Sequence, residues 1–373
     1  MALLPVSDSP GPLTGSARRL RIGLIGGVRF PQRPPFAGGL EAHTWTLAEG
    51  LRDRGHAVTV FGTDAPPGCD VHRVAIDWRP SAGARRDLSS RPADVVAEHH
   101  AYLHILRTLA RREVEVDVVH NNSTHHLPLA MAPLVPAPMV TTLHTPPTPW
   151  LESAFALEGG DRGHVVSVSR TNAAQWGPGT VDEVIANGVD CDLWRPDPAA
   201  RPAGAVWFGR LVPEKAPHLA IDAAARAGLP IVLAGPDHDP AYFAAEIAPR
   251  LGDGVRWAGH LDAAGCAALV AGAAVCIVTP MWPEPFGFVV AEALACGTPV
   301  AGFTSGAVPE LLTADVGRLA PPGDVEALAR AILEARHLDR TACRRHAVSS
   351  FSLTRMVDRY EEAVLRCVCV PRA

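Results

Sequence analysis

The sequence predicts an α/β protein made of two Rossmann-like domains, each built on a doubly wound parallel sheet, that face each other across a cleft. Three observations support this prediction. The 373 residues are roughly twice the ~150 of a typical domain. Short apolar runs alternate with helical patterns along nearly the whole chain. One stretch rich in Pro and Asp, residues 192–202, divides the alternation into two series.

Ten apolar runs are predicted to be strands. In the first series they are residues 20–26, 57–61, 116–120, 139–144 and 164–169. In the second series they are residues 205–209, 230–234, 255–258, 274–278 and 299–303. Because these runs are apolar on both faces, they are typical of a parallel sheet covered by helices through right-handed crossovers. Ligands of such sheets bind beyond the carboxyl ends of the strands, so the cleft is the predicted active site.

The predicted domains are residues 19–195 and residues 203–350. Residues 1–18 are rich in Pro, Ser and Gly and lack the apolar run of a secretory signal, so we expect a disordered leader. Residues 351–373 are expected to include a helix that packs back across the domain junction. Its predicted apolar side consists of Met356, Val357, Tyr360, Ala363 and Val364.

The bulk composition restricts the partners and the compartment. A net charge of −5 with 20% charged residues does not call for a nucleic-acid partner. The eight cysteines form no Cys-x-x-Cys pair, which favours reduced thiols and a cytoplasmic location. Peripheral contact with the inner membrane face stays open because of the basic pairs Arg85-Arg86 and Arg111-Arg112, although ordinary helix surfaces explain them more simply.

The first candidate site is the glycine pair Gly38-Gly39, which follows the first strand and a Pro-rich loop. A helix is predicted from about residue 40 to residue 54, with Gly55 as its stop. Adjacent glycines let a ligand approach the backbone closely. The pair is either a loop that binds a phosphate or an acceptor, or the plain start of a helix.

The second candidate site lies at the end of the first strand of the second series, where Arg210 and Lys215 follow Gly209. Arg binds phosphate oxygens through two parallel hydrogen bonds, and Lys adds a point charge. The two side chains therefore indicate a diphosphate site at the mouth of the strand. Two solvated surface charges are the simpler alternative.

The third and most specific candidate is a pair of glutamates, Glu284 and Glu292, with seven residues between them. A helix is predicted to start after Gly287 and to end near Gly297, which places Glu292 about two turns into it. Carboxylates accept hydrogen bonds from sugar hydroxyls. The helix N-terminus is predicted to offer an anion three free amides, those of Phe288, Val289 and Val290.

The fourth candidate is His144, which ends a strand of the first series and is expected to point into the cleft. It could hydrogen-bond a sugar hydroxyl or act as an acid or base. Four other histidines compete for this role, namely His43, His120, His125 and His126. No set of these residues has a metal-ligand spacing, so no metal site is predicted.

Taken together, these motifs make the chain resemble the retaining glycosyltransferases of the GT-B fold, in particular glycosyltransferase family 4. The resemblance covers nearly the whole chain. It is carried by residues 38–41, 51–60, 185–190, 209–215, 284–292 and 297–300. The Glu-x7-Glu pattern with Phe-Gly after the first Glu is the most specific of these.

The resemblance implies a role for each candidate. Arg210 and Lys215 would bind the donor diphosphate, Glu284 the donor sugar, and Glu292 the ribose. Gly39 would lie near the phosphate or the acceptor, and His144 near the donor sugar. The implied catalytic residues are His144, Arg210, Lys215 and Glu284. The implied donor-binding residues are Gly39, Arg210, Lys215, Glu284, Phe286, Gly287, Phe288, Val289 and Glu292.

The resemblance also implies the reaction, which is transfer of a sugar from a nucleotide-diphosphate sugar to an acceptor hydroxyl with retention of configuration. The donor is most commonly UDP-linked, with GDP and ADP as alternatives, and no cofactor or obligatory metal is implied. The acceptor is left open between a saccharide, a lipid and a small molecule. A sugar-nucleotide epimerase, a phosphorylase and a non-catalytic nucleotide-sugar-binding protein are the competing interpretations. The presence of Arg210, Lys215 and Glu284 argues against the last.

Two features depart from the family pattern. Ala216 follows Lys215 where family members often have Gly, in the loop expected to lie near the diphosphate. Residues 65–97 match no pattern, and such loops of the first half are expected to shape the acceptor site.

Overall fold

The computed structural model describes residues 18–369 except residues 35, 37, 75–77, 88, 90 and 158–161. The predicted leader lies outside the described residues, apart from Arg18. The strands are β1 (Arg21–Ile25), β2 (Ala57–Gly62), β3 (Asp70–Arg73), β4 (Val118–Asn121), β5 (Met139–Leu143), β6 (His164–Ser167), β7 (Glu183–Val184), β8 (Ala205–Phe208), β9 (Ile231–Ala234), β10 (Val255–Trp257), β11 (Val275–Val278), β12 (Val300–Phe303) and β13 (Gly317–Ala320).

The helices are α1 (Gly39–Asp53), α2 (Ala93–Ala110), α3 (His126–Ala130), α4 (Pro149–Phe155), α5 (Arg170–Gln175), α6 (Pro217–Arg226), α7 (Pro240–Tyr242), α8 (Ala263–Ala271), α9 (Phe288–Ala295), α10 (Val308–Leu311), α11 (Val325–Ala335), α12 (Arg340–Phe351) and α13 (Leu353–Cys369). Short 3-10 turns span Ala84–Arg86, Ala132–Leu134, Pro213–Lys215 and Ala248–Arg250. Within the described ranges, no helix is both long enough and apolar enough to cross a bilayer.

The described strands form two parallel sheets, which confirms the predicted fold class. The first sheet has the order β3-β2-β1-β4-β5-β6-β7 and the second the order β10-β9-β8-β11-β12-β13. In the second sheet the strand order reverses between β8 and β11, so the loops that follow these two strands diverge and leave a crevice. The corresponding reversal in the first sheet lies between β1 and β4.

All ten predicted strands are present, and the sequence missed three others: β3, β7 and β13. Each of the three lies at the end of a sheet or next to its edge. β3 reads Asp-Val-His-Arg and is partly exposed along its length, and β7 has only two residues. An edge strand is not buried on both faces, so it lacks the continuous apolar run that identifies an inner strand.

Helix α13 packs on the first domain although it follows the second. Met356, Val357 and Tyr360 are buried in the same apolar cluster as β1, β2 and α1. Gly50 of α1 allows the close approach, because a Cβ there would lie 2.5 Å from a methyl carbon of Val357. Arg54 adds an ion pair with Glu361 at 3.1 Å.

The chain passes between the two domains twice, near Val189 and near Leu353, and the two connecting segments lie next to each other. The Val189 amide donates to the carbonyl oxygen of Phe351 at 2.7 Å, and the Leu353 amide donates to that of Val189 at 3.1 Å. Gly188 is required there, because a Cβ would lie 2.8 Å from the Leu353 Cα. The Asn-Gly-Val-Asp segment of the family resemblance therefore joins the two domains at this crossing.

Candidate active site

The candidate donor site lies where the loops after β8 and β11 meet, at the reversal of strand order in the second sheet. The Met281 amide donates to the carbonyl oxygen of Glu214 at 2.8 Å and links the two loops. The buried Thr279 hydroxyl lies 2.9 Å from the carbonyl oxygen of Lys215 and 3.1 Å from that of Ala216. These contacts fix the backbone of the turn that presents Lys215 to the crevice.

The backbone at Ala216 explains why glycine is common there in the family. Its φ is +46°, in the left-handed region that residues with a Cβ rarely adopt. The residue is fully buried, and its amide donates back to Val212 and Pro213. The turn thus keeps the geometry that glycine would adopt more easily, at some cost in strain.

Lys215 and Glu284 form an ion pair with each other, which the sequence did not predict. Their side chains are only 23% and 15% exposed. The Trp282 indole N–H donates to the same carboxylate oxygen at 3.1 Å, and the Lys215 ammonium lies 5.3 Å from the centre of the Trp282 ring. The positive charge of Lys215 is therefore already compensated, and an arriving anion must share Lys215 with Glu284.

Arg210 is placed differently from Lys215. Its side chain is half-exposed, and its nearest acidic partner is Glu214 at 3.5 Å. An exposed pair of this kind contributes at most about 1 kcal/mol, so the guanidinium is free to reorient towards a bound anion.

Helix α9 begins directly after Gly287, which has a φ of +98°, and so follows the loop that carries Glu284. The predicted set of three free amides is wrong in one member, because the Val290 amide donates to the carbonyl oxygen of Gly287 at 3.0 Å. The left-handed turn at Gly287 brings that carbonyl back over the first helical turn. Phe288 and Val289 provide the first two helical amides, which have no acceptor within the helix.

Phe286, in contrast, is a core residue. Its side chain is buried between the rings of Phe288 and Phe351, at centroid distances of 5.4 and 5.9 Å. Only its backbone is placed to meet a ligand. The sequence placed Phe286 among the donor-binding residues without separating backbone from side chain.

Glu292 is the fifth residue of α9, a little over one turn from its start rather than the predicted two. Its side chain has no hydrogen bond or ion pair to any residue of the described ranges. Burial raises the pKa of its carboxyl from 4.5 to about 8. The group is therefore largely protonated at neutral pH in the unliganded protein. Glu292 is partly buried, and a carboxyl that lacks a protein partner has unused capacity for a ligand hydroxyl.

Gly39 brings the other domain into the site. A Cβ at Gly39 would lie 2.9 Å from the ring edge of Phe288, so the first turns of α1 and α9 touch across the cleft. Two helix N-termini thus converge on one place. Each carries partial positive charge, and together they suit an anion.

His144 lies at the carboxyl end of β5 and is hydrogen-bonded to the side chain of Asn122 at 3.2 Å. Burial, and then the proximity of His43 and His120, hold the pKa of His144 well below its usual value. The imidazole is therefore neutral and a weak base. With its Nε2–H donating to the Asn122 oxygen, Nδ1 remains as a hydrogen-bond acceptor.

Two of the competing histidines, His43 and His120, lie close to His144. The His43 ring lies 4.8 Å from that of His144, and Tyr360 of α13 contacts both His43 and His120 at 5.5 and 4.9 Å. Burial lowers the pKa of His43 to about 4 and that of His120 to about 3, so both rings stay neutral. His125 and His126 lie further along the same sheet edge, in a separate group of rings.

Two contacts that the sequence did not predict hold the domains together beside Glu284. The Ser169 hydroxyl donates to the carbonyl oxygen of Pro285 at 2.6 Å. The Glu310 carboxylate accepts the amides of Arg170 at 2.9 Å and Thr171 at 3.0 Å, at the N-terminus of α5. Ser169 is the N-cap of α5 and Glu310 lies in α10, and no local pattern marks their contacts with the other domain.

In this region, a glycine was the one residue whose type could have indicated a close contact between loops. Gly306 has a φ of +55°, and a Cβ there would lie 2.2 Å from the Glu284 amide. The turn at Gly306 therefore covers the Glu284 loop directly, and the Ala307 amide donates to the Glu284 carbonyl at 2.8 Å. Within the described ranges, no group of three His, Cys, Asp or Glu side chains is arranged to hold a metal ion.

Comparisons with known proteins agree with this architecture. The family model described as Glycosyltransferase Family 4 matches residues 37–193, and that described as Glycosyl transferases group 1 matches residues 199–347. A D-inositol 3-phosphate glycosyltransferase of Kribbella flavida is 30% identical over 349 residues, which are 77% of this chain and 79% of that protein. A glycogen synthase of Mycobacterium tuberculosis is 28% identical over 348 residues, 82% of this chain and 84% of that protein.

Among solved structures, a glycosyltransferase involved in avilamycin A biosynthesis superposes with a TM-score of 0.70 at 25% identity. The match covers 94% of this chain and 99% of that protein. Both domains are therefore shared with proteins of known activity.

Proposed function

Because the chain belongs to glycosyltransferase family 4 and is a sugar-transferring enzyme, we propose that it takes its sugar from a nucleotide-diphosphate donor bound in the second domain. Three observations carry this proposal: Arg210 and Lys215 share the loop after β8, Lys215 pairs with Glu284 beside the start of α9, and the starts of α1 and α9 are in contact. Four sources of positive potential around one crevice suit a diphosphate.

The proposed reaction retains the configuration at the anomeric carbon. The bond from this carbon to the diphosphate oxygen breaks, and the acceptor oxygen bonds to the same face of the sugar. The acceptor proton passes to the leaving phosphate, so no enzyme nucleophile is required. Arg210 and Lys215 stabilise the negative charge that develops on the diphosphate. Glu284 and the neutral His144 hold sugar hydroxyls by hydrogen bonds.

The nucleotide is proposed to extend along α9, with its ribose hydroxyls bonded to Glu292. The unpaired, protonated carboxyl supports this role, because ribose is the kind of partner it lacks. We propose a uridine nucleotide, with guanosine and adenosine as the alternatives. Basic side chains and helix N-termini take the place of a cation, so we expect a chelator to leave turnover unchanged.

Thermal unfolding with UDP, GDP, ADP, TDP and their sugar conjugates tests the proposal. A ligand at 100 times its dissociation constant stabilises by about 2.7 kcal/mol, a shift of about 5–10 °C. We expect one diphosphate to stabilise selectively and the shift to be lost in Arg210→Ala. Arg226→Ala is the matched control, because Arg226 is also half-exposed and paired with a glutamate. No shift with any nucleotide would contradict a donor site of this kind.

A further inference from the structure

A group of aromatic rings lines the first-domain edge of the cleft, and none of the roles above uses it. It consists of His99 of α2, His125 and His126 at the start of α3, and Trp150 of α4, and we call it the ring platform. The Trp150 ring lies 4.4 Å from that of His126 and 5.5 Å from that of His125. His125 and His126 stack on each other at 4.5 Å, and His99 lies 5.8 Å from His126.

The ring platform is continuous with the proposed active site. The loop that follows β4 carries Asn122, which holds His144, and then His125 and His126. Trp150 lies in the segment that follows β5, six residues after His144. All of these residues lie beyond the carboxyl ends of neighbouring strands, so the platform borders the place where the donor sugar is proposed to lie.

Folding alone does not account for the position of Trp150. Its side chain is 46% exposed, although indole is among the most favourable groups to bury. Its ring is inclined at 70° to that of His126, so part of the indole surface is left accessible. An exposed aromatic ring beside polar groups is typical of a binding site for a ligand that has both apolar and polar faces.

The imidazoles beside Trp150 are neutral hydrogen-bonding groups. Burial lowers the pKa of His125 to about 3 and also lowers the pKa of His126. His125 Nδ1 accepts the amide of Leu127 at 3.2 Å, which places its proton on Nε2. Within the described residues this Nε2–H has no hydrogen-bond acceptor, so a ligand oxygen can take that position.

We propose that the ring platform is the acceptor subsite and that the acceptor is an uncharged saccharide. A sugar ring would pack its C–H face on the Trp150 indole while its hydroxyls bond to the imidazole of His125. The neutral imidazoles of His125 and His126 offer no counter-charge to a phosphorylated acceptor. One indole covers too little area to hold a lipid chain. This inference rests on the proposed transferase function and specifies its acceptor.

The test measures nucleotide release by the full-length protein with its stabilising donor. The added acceptors are maltotriose and methyl α-D-glucopyranoside, against glucose 6-phosphate and phosphatidylinositol vesicles. We expect an uncharged saccharide to accelerate release above the rate with donor alone. Trp150→Ala should raise the KM for that saccharide at least tenfold and leave the affinity for the nucleoside diphosphate unchanged.

Two further variants are compared with Trp150→Ala. Leu134→Ala removes an apolar side chain that is 63% exposed in the connection leading into β5, and it should change nothing. His125→Asn keeps a capping acceptor for α3 but removes the ring, and it should weaken saccharide use less than Trp150→Ala.

The possible outcomes distinguish failure of the acceptor proposal from failure of the proposed donor site. Acceleration only by glucose 6-phosphate or by the vesicles, no acceleration by either uncharged saccharide, or an unchanged saccharide KM in Trp150→Ala would each overturn the acceptor class. In all three cases the nucleotide still binds. Failure of every nucleotide to bind would instead remove the proposed donor function, on which the acceptor proposal rests.

Discussion

The two faces of the cleft differ in how they carry charge. The second-domain face holds Arg210, Lys215 and Glu284 beside a helix N-terminus, whereas the first-domain face presents neutral imidazoles and the indole of Trp150. A diphosphate requires positive charge in fixed positions, and charged residues at fixed spacings are visible in a sequence. An uncharged acceptor requires ring faces and hydrogen bonds, which several loops supply together.

Within the charged face, Lys215 and Glu284 are bonded to each other before any ligand arrives. The face is therefore closer to neutral without ligand than its residue list suggests. In the proposed donor site, a bound diphosphate would draw Lys215 towards phosphate and leave Glu284 free for sugar hydroxyls. This exchange of partners connects diphosphate binding with sugar binding.

The largest expected effect follows from Glu284→Gln. Sugar transfer should fall by a factor of about 10² to 10³, the usual cost of losing one preorganised hydrogen-bonding group at a reacting centre. The affinity for the nucleoside diphosphate alone should rise, because Lys215 loses its competing carboxylate. Calorimetric titration and turnover measure the two effects separately. Turnover at the wild-type rate would remove Glu284 from the reaction, and Glu326→Gln serves as the control of equal charge change.

The next effect concerns Arg210→Ala, which should weaken nucleoside-diphosphate binding about tenfold to a hundredfold. A charged hydrogen bond contributes about 1.5–3 kcal/mol, and the half-exposed guanidinium has no strong competing partner in the protein. Equilibrium titration gives the loss. If Arg226→Ala loses as much affinity for the nucleoside diphosphate, the loss reflects the overall charge of the protein. It would then not support a charged donor face distinct from the first-domain face.

A smaller effect is expected for Glu292→Gln, and it depends on pH. The folded pKa of about 8 lies above the ordinary 4.5, so this carboxyl favours the folded state fully below pH 4.5 and loses that contribution as pH rises through 8. Gln does not ionise. The variant should therefore match the wild type near pH 4.5 and exceed its stability above pH 8 by up to about 5 kcal/mol.

Nucleotide binding should change in the opposite direction in Glu292→Gln, with an affinity about tenfold lower. Denaturant unfolding at several pH values, together with titration at pH 7.5, measures both effects. Equal stability of the two proteins at every pH would show that the carboxyl is not buried as described. Unchanged nucleotide affinity would remove the proposed ribose contact.

The smallest effect concerns the contact between the faces. Glu310→Ala removes the acceptor of the Arg170 and Thr171 amides, and these exposed bonds contribute about 0.5–1.5 kcal/mol each. Turnover should fall a few-fold, and the α5 amides should exchange hydrogen faster, while nucleotide affinity stays constant. Glu334→Ala removes another exposed, paired glutamate and should affect neither. A loss of nucleotide affinity would mean that Glu310 acts on the donor site itself.

The fold could be predicted because its information is local. Inner strands are apolar on both faces, so the ten predicted strands are confirmed, while polar edge strands such as β3 were missed. The start of α9 was predicted because Gly287 lies directly before it. The Val290 amide was misjudged because a left-handed turn at Gly287 closes a bond that the spacing does not reveal.

The candidate site could be predicted only in part, for the same reason. Lys215 and Glu284 were each identified, but their mutual ion pair joins residues 69 positions apart. Ser169 and Glu310 contact the opposite domain, and Trp150 meets His126 only through the order of β4 and β5 in the sheet. Contacts between segments that are distant in the sequence, within one domain or between the two, leave no local pattern.

The most direct test of the account compares calorimetric titrations of three proteins with the nucleoside diphosphate that stabilises best. The proteins are the wild type, Lys215→Ala and Trp150→Ala. We expect a loss of affinity of at least tenfold in Lys215→Ala and none in Trp150→Ala. Equal losses in both variants, or a loss confined to Trp150→Ala, would contradict the assignment of the donor to the charged face.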